Sequence, residues 1–69
     1  MEEYKRIYDR ILIMLAVAAQ NNKKKISLSY KFFKGDNKLM YYVIHRAVLD
    51  GFIVRLYEKH LEVCINEVD

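Results

Sequence analysis

Lys38, Tyr42, His45 and Arg46 follow one another at spacings of four, three and one, which on a helix gathers them onto one face. Lysine and arginine donate to guanine O6 and N7 or to phosphate. Tyrosine and histidine donate to phosphate or pack on thymine methyls. This is the chemistry of a surface that reads a polyanion, not of one that breaks bonds. With only Gly35 and Gly51 the chain has no glycine-rich phosphate loop, and no nucleophile with a recognisable base or carboxylate pair in an apolar setting. His45, His60 and Cys64 are the only good soft metal ligands, at spacings that match no zinc pattern. The expectation is a non-enzyme with no catalytic residue, metal, cofactor or small-molecule substrate.

The stretch that must position these side chains is NKLMYYVIHRAVLDGF, Asn37 to Phe52. Asp36 and Asn37 can each accept a hydrogen bond from the unpaired N–H groups of a helix start. Met40, Val43, Ile44, Ala47 and Val48 recur at helical spacing as one apolar stripe. Lys38, Tyr42, His45 and Arg46 occupy the opposite face, with Leu49 beyond them and Tyr41 on the flank. Gly51 closes the helix, because glycine takes the left-handed terminal conformation without a steric penalty.

Upstream, Glu2 to about Asn21 reads as a helix with acids at its positive end. Tyr4, Ile7, Tyr8, Ile11, Met14, Leu15 and Ala18 line its core face. Ile13 and Val17 fall opposite, one turn apart among Arg6, Arg10 and Gln20, and make a self-association face. Asn21 and Asn22 end the helix. Lys23 to Leu28 is extended, with Ile26 to Leu28 able to add a strand. Ser29 caps a short helix, Tyr30 to Lys34, anchored by Phe32 or Phe33, and Gly35 and Asp36 turn the chain.

After Gly51 the period becomes two, and a hairpin with Glu58-Lys59 at its tip is predicted. Pairing Tyr57 with His60 sets Leu56 beside Leu61 and Val54 beside Val63. The same register sets Arg55 opposite Glu62 on the outer face, a favourable charge pair. Asn66 to Asp69 form an acidic tail.

Sixty-nine residues make one domain with a marginal core, and 54% hydrophobic content leaves apolar surface for a partner. One cysteine, Cys64, forms no intrachain disulfide, and no stretch reaches the ~18 apolar residues of a membrane span. A cytoplasmic protein that does not enter a membrane is expected. The net charge of +3 is uneven: Lys23 to Arg46 hold seven basic residues and one acid, Asp36, while the remainder sums to −3. Lys23, Lys24, Lys25, Lys31 and Lys34 are expected on phosphates, which position a protein without reading sequence.

The order helix, strand, short helix, turn, helix, hairpin resembles the winged helix-turn-helix family over essentially the whole chain. Its most specific part is Leu39 to Val54, with Leu49-Asp50-Gly51-Phe52-Ile53 as the helix-to-wing junction. The resemblance implies an α+β fold of three helices with a C-terminal β-hairpin wing. It further implies double-stranded DNA as partner, Asn37 to Asp50 in the major groove and the Glu58-Lys59 tip near the backbone. Tyr41 is expected to be partly buried against the short helix or the wing. The small size and lysine-, isoleucine- and tyrosine-rich composition resemble regulators of archaeal viruses and plasmids. The chain departs from the family in its very short second helix and in a wing tip without an arginine cluster. Two functions follow: a homodimeric, sequence-specific transcriptional regulator, or an interaction module in a replication or other multiprotein complex.

Overall fold

The computed structural model describes residues 2–65; the acidic tail predicted from the sequence lies outside them. The chain runs α1 (Glu2–Gln20), β1 (Lys25–Ser29), a 3-10 turn (Tyr30–Phe33), α2 (Asn37–Leu49), β2 (Ile53–Leu56) and β3 (His60–Cys64). The result is an α+β architecture of two α-helices and a three-stranded antiparallel sheet in the order β1-β3-β2. The short second helix is thus a single 3-10 turn. Ser29 Oγ accepts from the Lys31 N–H at 3.2 Å to start it, and Lys34 at φ 53° stops it. Buried Phe33 is its anchor, while Phe32 is only half-buried.

Both α-helices end in the same motif. After α1, Lys23 N–H donates to the Ala18 carbonyl at 2.8 Å and Asn22 N–H to Ala19 at 3.1 Å, with Asn22 at φ 64°. After α2, Phe52 N–H donates to Ala47 at 2.9 Å and Gly51 N–H to Val48 at 3.0 Å, with Gly51 at φ 92°. At the other end, Asp36 accepts from the Leu39 N–H at 3.1 Å and is the N-cap of α2.

The hairpin has the predicted register: Val54 faces Val63, Arg55 faces Glu62 and Leu56 faces Leu61. β1 pairs along the other edge of β3, from Lys25 opposite Cys64 to Ser29 opposite His60. Because β3 is central, it is buried on both faces. Leu61 and Val63 join the core beneath the helices, and Glu62 and Cys64, on the alternate face, are buried as well. Glu62, expected on an open outer face, is only 8% exposed. Its carboxylate meets Lys25 Nζ at 3.2 Å and accepts from the Tyr57 hydroxyl at 3.4 Å.

The core joins Tyr8, Ile11 and Leu15 of α1, Leu28 of β1, Phe33, Leu39, Val43 and Ala47 of α2, and Leu61 and Val63. Two stripe assignments change. Val48 was expected inside and is 55% exposed, whereas Leu39 is buried. α2 is rotated so that Leu39, Val43 and Ala47, an i, i+4, i+8 row, form its centre line. Met14 sits at the rim of the α1 stripe rather than within it.

Phe33 ties the 3-10 turn to the core, so Phe33→Ala is expected to cost about 3–5 kcal/mol, against a much smaller loss for Phe32→Ala. Urea unfolding midpoints at matched m-values measure the difference.

Candidate nucleic-acid interface

Each residue advances about 100° around a helix axis, so the buried line of α2 dictates what can face outward. The open row is Asn37, Lys38, Tyr41, His45, Val48 and Leu49, all exposed. Tyr41 at 64% and Leu49 at 66% are among the most exposed large hydrophobic side chains of the described residues. The expected partial burial of Tyr41 is therefore corrected. It is Tyr42 that is half-buried.

Tyr42 and Arg46 do not share the open face with Lys38 and His45. They sit on the flank turned towards α1, where two aromatic rings wait for them. The Tyr42 ring lies 5.6 Å from that of Tyr4, tilted by 51°. The Arg46 guanidinium lies over Tyr8 at 5.5 Å and over Tyr42 at 6.0 Å, with its Nη1 3.5 Å from the Tyr42 hydroxyl. A guanidinium held over ring faces gains cation–π attraction and gives up the freedom a base-reading arginine needs. Arg46 is thus a helix-packing residue first.

The basic middle of the chain is also divided. Lys25 begins β1 and is drawn onto Glu62, while the Lys24 carbonyl accepts from Ile65 N–H at 2.8 Å. Lys31 and Lys34 follow the other end of β1, a strand that advances about 13 Å over its length. Lys23, Lys24 and Lys25 therefore lie at one end of the sheet, and Lys31 and Lys34 at the other, beside the start of α2. They make two footprints, not one. Lys31 and Lys34 line a groove with Arg10 of α1, together with the acids Glu3 and Asp36 and apolar Ile7, Phe32 and Leu39. A second, open groove runs between Glu3 and Tyr4 of α1 and Lys38, Tyr41, Tyr42 and His45 of α2.

The hairpin tip is tied down rather than projecting freely. The Tyr30 hydroxyl donates to the Tyr57 carbonyl, and the Tyr30 N–H to the Lys59 carbonyl at 3.3 Å. His60 stacks on Tyr57 at 4.8 Å, with the rings 17° apart. No group of three or more His, Cys, Asp or Glu that could hold a metal ion occurs among the described residues, and none of the helices is long and apolar enough to cross a membrane.

Two tyrosine–aspartate pairs hold the open row in place. The Tyr8 hydroxyl donates to Asp50 at 2.7 Å, and the Tyr4 hydroxyl to Asp36 at 3.1 and 3.3 Å. Burial raises the Tyr8 pKa well above the ordinary phenol value, and the bond to Asp50 adds to the rise. Tyr4 shifts in the same direction, through desolvation and then through Asp36. Asp50 was missed as a supporting residue, although a carboxylate at the negative end of a helix signals that something offsets its cost.

Compared with known proteins, the chain matches no family model, no curated protein and no solved structure.

The raised Tyr8 pKa carries a pH signature. The folded state holds the phenolic proton more tightly than the unfolded chain, so the contribution is complete below the unfolded value of about 10 and is lost as pH rises above it. Thermal melts from pH 8 to 11.5 should show stability falling at the alkaline end. Tyr8→Phe, though less stable at neutral pH, should lose less over the same range.

Proposed function

We propose that the chain is a winged helix-turn-helix domain that binds double-stranded DNA as a homodimer and regulates transcription. The observation that carries this reading is the open row of α2, presented immediately after a basic turn. Lys31 and Lys34 lie just before the helix, and Lys38 and His45 on it, where phosphates and base edges would lie once α2 enters a major groove. The element order and the β1-β3-β2 sheet support the same reading. The 3-10 turn stands for the family's second helix. In this assignment Arg46 and Tyr42 hold the reading helix against α1, and Lys23, Lys24 and Lys25 belong to a separate surface.

The homodimer rests on α1. Ile13 is 63% and Val17 50% exposed, one turn apart on the face turned away from the core. Two such faces joined about a two-fold axis would set half-sites about 10–10.5 base pairs apart, or a multiple of that.

A gel shift on random duplex at several salt concentrations tests DNA binding. Each neutralised phosphate contributes about −0.9 to the slope of log affinity against log salt. Lys31→Ala with Lys34→Ala should flatten that slope by about 1–2. Lys23→Ala with Lys24→Ala should change it less. An unchanged slope in the first variant would remove the assignment. The exposed Val48 and Leu49 are the surface an interaction module would use, and a chain that binds no duplex at low salt would favour that reading over this one.

Sedimentation at micromolar concentration tests the dimer. Val17→Glu should convert it to a folded monomer with an unchanged circular-dichroism spectrum. A wild-type chain that stays monomeric on DNA sinks the α1 interface.

A further inference from the structure

We infer that the open face of α2 selects A·T base pairs from the major groove, by covering thymine methyl groups; this rests on the DNA-binding reading above. Guanine is normally recognised by an arginine or lysine that reaches O6 and N7 together. The only arginine of α2 is Arg46, and the rings of Tyr8 and Tyr42 hold it off the open face. That leaves Lys38, in the first turn, as the single permanent cation of the open row.

What the row offers instead is apolar. Tyr41, Val48 and Leu49 are all more than half exposed. Single exposed apolar residues are ordinary. Three on the same solvent-facing side of one helix, with only His45 between them, form a strip. In the major groove the one apolar group on any base edge is the C5 methyl of thymine. Tyr41 to Leu49 spans about 12 Å along the helix axis, the rise of three to four base-pair steps. Asn37 is exposed at the start of the same row, and its carboxamide matches the N6 and N7 edge of adenine. Charge complementarity places the strip: Lys38 and His45 lie on the same open row, and Lys31 and Lys34 stand in the turn just before α2, where phosphates would hold the helix in the groove.

The test uses the full chain and four duplexes of equal length at one salt concentration: alternating dA-dT, dA-dU, dI-dC and dG-dC. Deoxyuridine lacks only the methyl. The dI-dC duplex has a minor groove like that of A·T and a major groove like that of G·C. Affinity should be highest for dA-dT and should drop on dA-dU by about fourfold for each methyl covered, the equivalent of ~0.8 kcal/mol. The dI-dC duplex should group with dG-dC. Val48→Ala with Leu49→Ala should bring the dT-to-dU ratio towards one, because binding to dA-dT falls by more than binding to dA-dU.

Equal binding of dT and dU duplexes, or dI-dC grouping with dA-dT, would overturn the inference while leaving DNA binding intact. So would a double variant that keeps its ratio and instead shifts the sedimentation coefficient, since the strip would then join two copies of the chain. Failure to bind any of the four duplexes at low salt overturns the DNA reading itself, and this inference with it.

Discussion

Tyr8 is buried, and a buried phenol needs an acceptor for its proton. Asp50 supplies it at 2.7 Å, from a position where a carboxylate is otherwise unfavourable, at the negative end of α2. At the other end of the same helix, Asp36 caps the first turn and also accepts from Tyr4. Two tyrosines one turn apart on α1 thus reach both ends of α2. With Arg46 lodged between the rings of Tyr8 and Tyr42, this fixes how α2 is rotated about its own axis. A change in that rotation would exchange the open row for the flank, and the surface presented to a partner would be a different one.

Much of the fold was legible locally. Caps such as Ser29 and Asp36, the stops at Asn22 and Gly51, and the pairing of Arg55 with Glu62 all depend on residues close together in the chain. The exposure of Ile13 and Val17 also followed from periodicity. The misread positions depend on long-range contacts. The polar and aromatic types of Tyr42 and Arg46 suit the open side. Nothing nearby in sequence announces that α1 carries two rings for them to pack on. Val48 suits a core position as well as Leu39 does, because the apolar residues of α2 extend nearly all the way round it, so composition alone leaves its rotation undetermined.

The lysines teach a related lesson about charge. A run of basic residues in sequence becomes a patch in space only if the chain between them folds back. Here β1 is extended and carries Lys25 away from Lys31. Lys25 is then drawn onto Glu62, whose near-complete burial on the central strand calls for a cation. Part of the positive charge is therefore structural. The rest divides between Lys23 and Lys24 at one end of the sheet and Lys31, Lys34 and Lys38 around the start of α2.

The position of β3 has a consequence for how the protein is made. β1 and β2 are both edge strands, and each finds its partner only in β3, which follows them in the chain. Only three residues separate β2 from β3, but thirty separate β1 from β3. During synthesis α1 and α2 can coil as they emerge, while β1 remains an unpaired strand with Ile26 and Leu28 uncovered. The hairpin closes first because its loop is short, and β1 docks onto it afterwards, once the larger loop has been closed. Until Cys64 has left the ribosome the sheet is incomplete, and the apolar side of β1 stays without the strand that pairs with it.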